Sequence, residues 1–167
     1  MNLQVSGLSI VHAFVSVSGC DRTPPEFREF LSLPVDYQAE RLRQMPIDKQ
    51  LDYYLAATSY VHPPELGLGD MIAEEGAKAL QYLVQKLREE KQEHRQIMLM
   101  YVFEHMNRFD HNLRDEREAL DALRDTTSNM KDHKAEAQRV LADILENRAV
   151  DLEKFKQDHR DYFPSDH

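Results

Sequence analysis

From residue 23 onward, apolar side chains return at spacings of three and four residues almost without interruption, and that period dictates an α-helical chain. The clearest stripe is Ala79, Leu80, Leu83, Val84 and Leu87, within a helix predicted over 77–90. Upstream, Phe27, Phe30 and Leu31 mark one short helix. Val35, Ala39 and Leu42 mark a second over 35–45, and Ile47, Leu51, Tyr54, Leu55 and Thr58 a third over 48–60. The run Ile97–Phe103 is apolar on all sides, which places a helix over 93–108 at the centre of the packing.

Breaks in the pattern fall where helix chemistry wants them. Pro34 opens the second helix and Pro46 ends it, Pro63-Pro64 stops the third, and Gly76 separates a short helix over 66–75 from the one that follows. Thr23-Pro24-Pro25-Glu26 has the form of a capping box, with a proline where the first helical amide has no partner. Leu113, Leu120 and Leu123 mark a further helix, and the polar stretch Thr126-Thr127-Ser128-Asn129 reads as a turn and helix start. A long charged helix over 131–162 then carries Ala137, Leu141, Leu145, Arg148, Leu152 and Phe155 as a narrow, coiled-coil-like seam. With five glycines and no Trp, the composition agrees with an all-α domain over 20–167. Residues 20–107 form its compact part, and residues 108–167 form a charged helical hairpin.

None of the 51 charged side chains lies in residues 1–20. Leu8 to Val17 is apolar and of the length of the central region of a secretory signal, and the small residues Val17-Ser18-Gly19-Cys20 follow it. This pattern resembles the lipobox of bacterial lipoproteins. The resemblance implies that residues 1–19 are a signal peptide and that Cys20 carries the lipid, palmitate-type acyl chains included. The protein would then be membrane-anchored in the bacterial cell envelope, facing the periplasm or the exterior. Cys20 is the one cysteine, which excludes an internal disulfide and a cysteine-based zinc cluster. The alternative is a cytoplasmic helical adaptor in which residues 1–20 pack as a strand or short helix.

The order helix, Pro-Pro turn, helix, short loop, helix over 48–108, with Gly76 to Glu90 at its centre, resembles the HEAT-like class of helical repeats. That resemblance implies antiparallel helical hairpins stacked as a short solenoid, whose ridge binds another protein. An irregular helical bundle is the other architecture the spacing allows.

The net charge of −9 makes the chain a poor match for nucleic acid and favours a basic protein partner. The sequence holds no nucleophile elbow, zinc-protease motif, phosphate loop or dinucleotide fingerprint, so it calls for no cofactor. Gly67-Leu68-Gly69 lacks the third glycine and reads as a turn or helix start. His105 and His111 would face different ways on one helix, Glu90 and His94 form a surface pair, and no three side chains have the spacing of metal ligands. The sequence therefore predicts a non-catalytic envelope protein that presents a helical surface, with an immunity (toxin-neutralising) protein or an assembly factor as the two concrete roles. The candidate contacts are Tyr53, Tyr54, Tyr60, Tyr82 and Arg148. The rival is an enzyme with a dispersed site on His94, Tyr101, Glu104 and His105.

Overall fold

The computed structural model describes residues 23–61, 66–109 and 111–146. These hold eight α-helices and no strand: α1 (Pro25–Leu31), α2 (Val35–Arg43), α3 (Ile47–Tyr60), α4 (Leu68–Glu74), α5 (Ala77–Glu89), α6 (Glu93–Met106), α7 (Arg117–Asn129) and α8 (Lys134–Glu146). The arrangement is a helical bundle. Cys20, the 1–19 segment, the Pro63-Pro64 turn and Arg148, Leu152 and Phe155 of the expected seam lie outside the described residues.

Proline sets the entry to the first three helices, but not through a capping box. Pro24, Pro34 and Pro46 are themselves the N-caps, and no side chain caps α1. Thr23 contributes its backbone instead, its carbonyl accepting from Arg28 Nε at 2.9 Å. The second and third helices start alike, on Leu33-Pro34-Val35-Asp36-Tyr37-Gln38 and Met45-Pro46-Ile47-Asp48-Lys49-Gln50. In both, the buried glutamine at the fourth helical position sends its amide back to a carbonyl ahead of the proline: Gln38 to Leu33 at 2.8 Å, Gln50 to Met45 at 2.9 Å. Proline fixes φ and forgoes an amide that the first turn could not have used, and the glutamine satisfies a carbonyl that burial would otherwise strand.

No residue of α6 is exposed, as its all-round apolar run predicts. Ile97, Leu99, Met100, Val102 and Phe103 are completely buried, with α3, α4, α5 and α8 packed around them. Each such side chain contributes about 1.5–3 kcal/mol of burial. The stripe Ala79, Leu83, Val84 and Leu87 buries α5 against α6 and α7, with Leu80 only partly covered. Residues beyond 108 belong to this core as well: Leu113, Leu120, Leu123, Met130, Val140 and Ile144 join it.

Two expectations in the last third are corrected. Thr126 to Asn129 is the final turn of α7 rather than a break, because Thr126 and Thr127 are buried and Thr127 Oγ1 donates to the Leu123 carbonyl at 2.8 Å. The chain turns instead over 130–133. On α8 the buried row is Ala137, Val140 and Ile144, whereas Leu141 is partly covered and Leu145 is 36% exposed. The seam is thus rotated from the expected one, since α8 lies on both α6 and α7 and needs a broader apolar stripe than a two-helix contact.

Gly76 makes the sharp corner between α4 and α5 at φ 56°, ψ −127°. A Cβ here would overlap the His111 imidazole as well as strain the backbone. Gly76→Ala should therefore lower unfolding stability by about 1–3 kcal/mol in denaturant titration. Adding His111→Ala should recover the steric part only, which a double-mutant cycle would reveal.

Candidate functional site

One face of α6 carries His94, Tyr101 and His105, at i, i+7 and i+11, and Arg108 follows in the 3-10 turn Asn107–Phe109. At its inner end α4 brings up Asp70, 1% exposed, with Oδ1 2.5 Å from His105 Nδ1 and 3.5 Å from Arg108 Nη1. A carboxylate this deep requires charged or donor partners, and these two close the α4–α6 contact. Beside them the fully buried Tyr54 donates to the Met98 carbonyl at 3.1 Å, and burial pushes its hydroxyl far above the ordinary range. Gly69 lets α4 approach this ring, with an added Cβ only 3.2 Å from it.

The outer end of the same face meets α8. Tyr101 donates to Glu136 Oε1 at 2.5 Å, and Arg139 lies over the Tyr101 ring while donating to its hydroxyl at 3.3 Å. Arg139 also pairs with Asp143 at 2.8 Å and stands 3.8 Å from Glu104. His133 Nδ1 is 3.3 Å from Glu136 Oε2, and its ring centroid is 6.1 Å from that of His94. Burial, then the bond to Glu136, raises the Tyr101 hydroxyl; the same bond, helped by His133, lowers Glu136.

α8 is fastened to this seam at two further places. Glu93 accepts the backbone amides of Lys131 and Asp132 at 2.8 Å and His133 at 3.1 Å, and these bonds, those of Lys131 and His133 foremost, hold its carboxyl below the ordinary range. Further along α8, Arg114 Nε donates to the Leu145 carbonyl at 2.7 Å and Asn107 Nδ2 to that of Ile144 at 3.3 Å.

The four residues of the dispersed-site rival thus share one side of α6, with Arg139 common to Tyr101 and Glu104 and other partners for the rest. His94 Nε2 lies 3.5 Å from the Thr58 carbonyl, Tyr101 is bound to Glu136, Glu104 faces Arg139, and His105 faces Asp70. These contacts join α6 to α3, α4 and α8. Among the described residues, no group of three or more His, Cys, Asp or Glu side chains is placed to hold a metal ion.

Of the tyrosines nominated as contacts, Tyr54 is core and is corrected to that role, since a completely buried ring has no surface to offer. Tyr53 is half-buried, edge-on to Phe27 and Phe30, and holds α1 on α3. Tyr60 and Tyr82 are each 38% exposed. Sequence alone does not single out Tyr37, at 58% the most exposed large apolar side chain among the described residues. Tyr82 stands on the outer face of α5 between two open hollows. One, of about 440 Å³, is lined by Asp48, Asp52, Lys86 and Glu89; the other, of about 500 Å³, by Gln81, Arg88, Glu89 and Glu118. Lys86 is paired with Asp52 at 2.5 Å and Arg88 with Glu118 at 2.7 Å across neighbouring helices.

No protein-family model, curated protein or solved structure matches this chain.

Asp70→Ala leaves His105 and Arg108 facing a void and should cost about 3–5 kcal/mol in denaturant titration, whereas Tyr101→Phe should cost about 0.5–1.5 kcal/mol. Acid provides a second check. Glu93 and Glu136 have folded values below their unfolded ones, so their contribution is complete above the unfolded carboxyl range and fades as pH falls through the folded values. The Glu93→Gln variant should be less stable than wild type at neutral pH. Its thermal midpoint should also fall less steeply between about pH 5 and pH 3.

Proposed function

We propose that this chain is a non-catalytic, lipid-anchored protein of the bacterial cell envelope that offers a helical surface to a protein partner, as an immunity protein or an assembly factor does. The observation that carries the reading is the outer face of α5. Tyr82 is exposed there between two open hollows, with acid–base pairs around it. A half-exposed aromatic beside concavities, rimmed by polar groups, is the arrangement interfaces use for their anchor residues. The side chains of Tyr101, Glu104 and His105 on α6 are meanwhile engaged with α4 and α8. The acidic balance favours a basic partner, and consecutive helices packed together across a short loop, as α5 and α6 are, suit the HEAT-like manner of presenting a ridge. The anchor rests on Val17-Ser18-Gly19-Cys20 and the charge-free segment before it. Among the described residues no helix is long and apolar enough to cross a membrane.

Two measurements test the two halves of this reading. Produced in a bacterium, the wild-type chain should be cleaved before Cys20, gain the mass of its acyl chains and fractionate with membranes, while Cys20→Ser should remain uncleaved and unacylated. An uncleaved, soluble wild type would remove the anchor. With a photoreactive residue in place of Tyr82, crosslinking in the cell should yield one discrete adduct that the same residue at Asp121 on α7 does not. Equal patterns at both positions would count against the α5 surface.

A further inference from the structure

A lipid on Cys20, the anchor proposed above, fixes more than location, because the tether is short and its exit point is held. Three peptide steps separate Cys20 from Thr23, a reach of at most about 11 Å. Thr23 is buried against the fold, its carbonyl bound by Arg28. A folded body of this many residues is roughly 35 Å across, so a tether of that length cannot bring its far side to a bilayer. The surface around Thr23 must face the lipid. Next to Thr23 stands α1, whose Arg28 holds the Thr23 carbonyl and whose Glu29 pairs with Arg41 of α2 at 2.7 Å, so α1 and the α2 face joined to it come to that side. One turn before Arg41 on the same exposed face of α2 stands Tyr37.

We propose that the exposed face of α2, centred on Tyr37 with Arg41 beside it, is a membrane-contact surface that lies at the phospholipid headgroups and leaves α7 and α8 pointing away. The proposal rests on the anchor reading, and two features converge on that occupant. The tether delivers this face to the bilayer. Tyr37 is 58% exposed, and a tyrosine with an apolar ring and polar tip suits the headgroup layer better than open water.

The protein has no tryptophan and one thiol, so a clean test is available. The full chain is coupled through Cys20 to a maleimide lipid in phosphatidylcholine vesicles that contain a headgroup-region spin-labelled lipid. Tyr37→Trp and Leu145→Trp are compared, the latter an exposed position on α8. The spin label should quench Tyr37→Trp at least about two-fold more than Leu145→Trp, as a headgroup-level ring requires. Glu40→Trp, one turn along the same face, should follow Tyr37→Trp and guards against a local disturbance of α2. Equal quenching at α2 and α8, or stronger quenching at Leu145→Trp, would overturn the proposal. Chemical coupling makes this result independent of natural acylation, so failure of the anchor reading itself would show separately, as an unmodified mass from cells.

Discussion

The packing of α6 is the constraint on which the rest of this structure depends. A fourteen-residue helix with no exposed position cannot be stable until other elements cover it on every side. α3, α4, α5 and α8 do so, and α7 is held in turn by α5 and α8. Burial along α6 supplies the largest apolar contribution, but burial is non-directional and does not by itself choose which helix lies where. The choice is made by polar side chains at the edges of the core. Asp70 with His105 and Arg108 sets α4, and Tyr54 bonded to the Met98 carbonyl sets α3. Glu93, Tyr101 and Arg139 set α8.

That division of labour bears on function. The side chains that most resemble chemical equipment are the ones that position helices: an imidazole beside a buried carboxylate, a tyrosine on a glutamate. Their geometry already has a structural purpose. The surfaces left over are the outer faces of α5 and α2, carrying Tyr82 and Tyr37 on separate helices. With Tyr82 turned to a protein and Tyr37 to lipid, as proposed, a small tethered domain has two faces with two different tasks.

Periodicity made the helices legible. The stripe on α5, the all-round apolar run of α6 and the corner at Gly76 could be read because each depends on neighbours within a turn or two. What escaped depends on distant partners. Glu93 caps a turn some forty residues later, so nothing in its local sequence marks it. Tyr54 falls on the apolar stripe of α3, but that α4 comes close enough at Gly69 to seal its ring completely is written only in the packing. The polar run Thr126 to Asn129 looked like a turn because threonine and serine disfavour helix interiors, but burial against the core and the back-bond to Leu123 outweighed that preference. The shared start of α2 and α3, proline with a glutamine four residues on, was present in the sequence and became meaningful once both amides were seen to reach back.

That every described helix is organised by α6 is most directly tested by native-state hydrogen exchange, read residue by residue. Amides of Ile97 to Phe103 should then exchange slowest and only through global unfolding, with α1 and α2 opening first. Exchange from α6 faster than from α7 or α2 would contradict this, and would mean that the bundle is built around some other element.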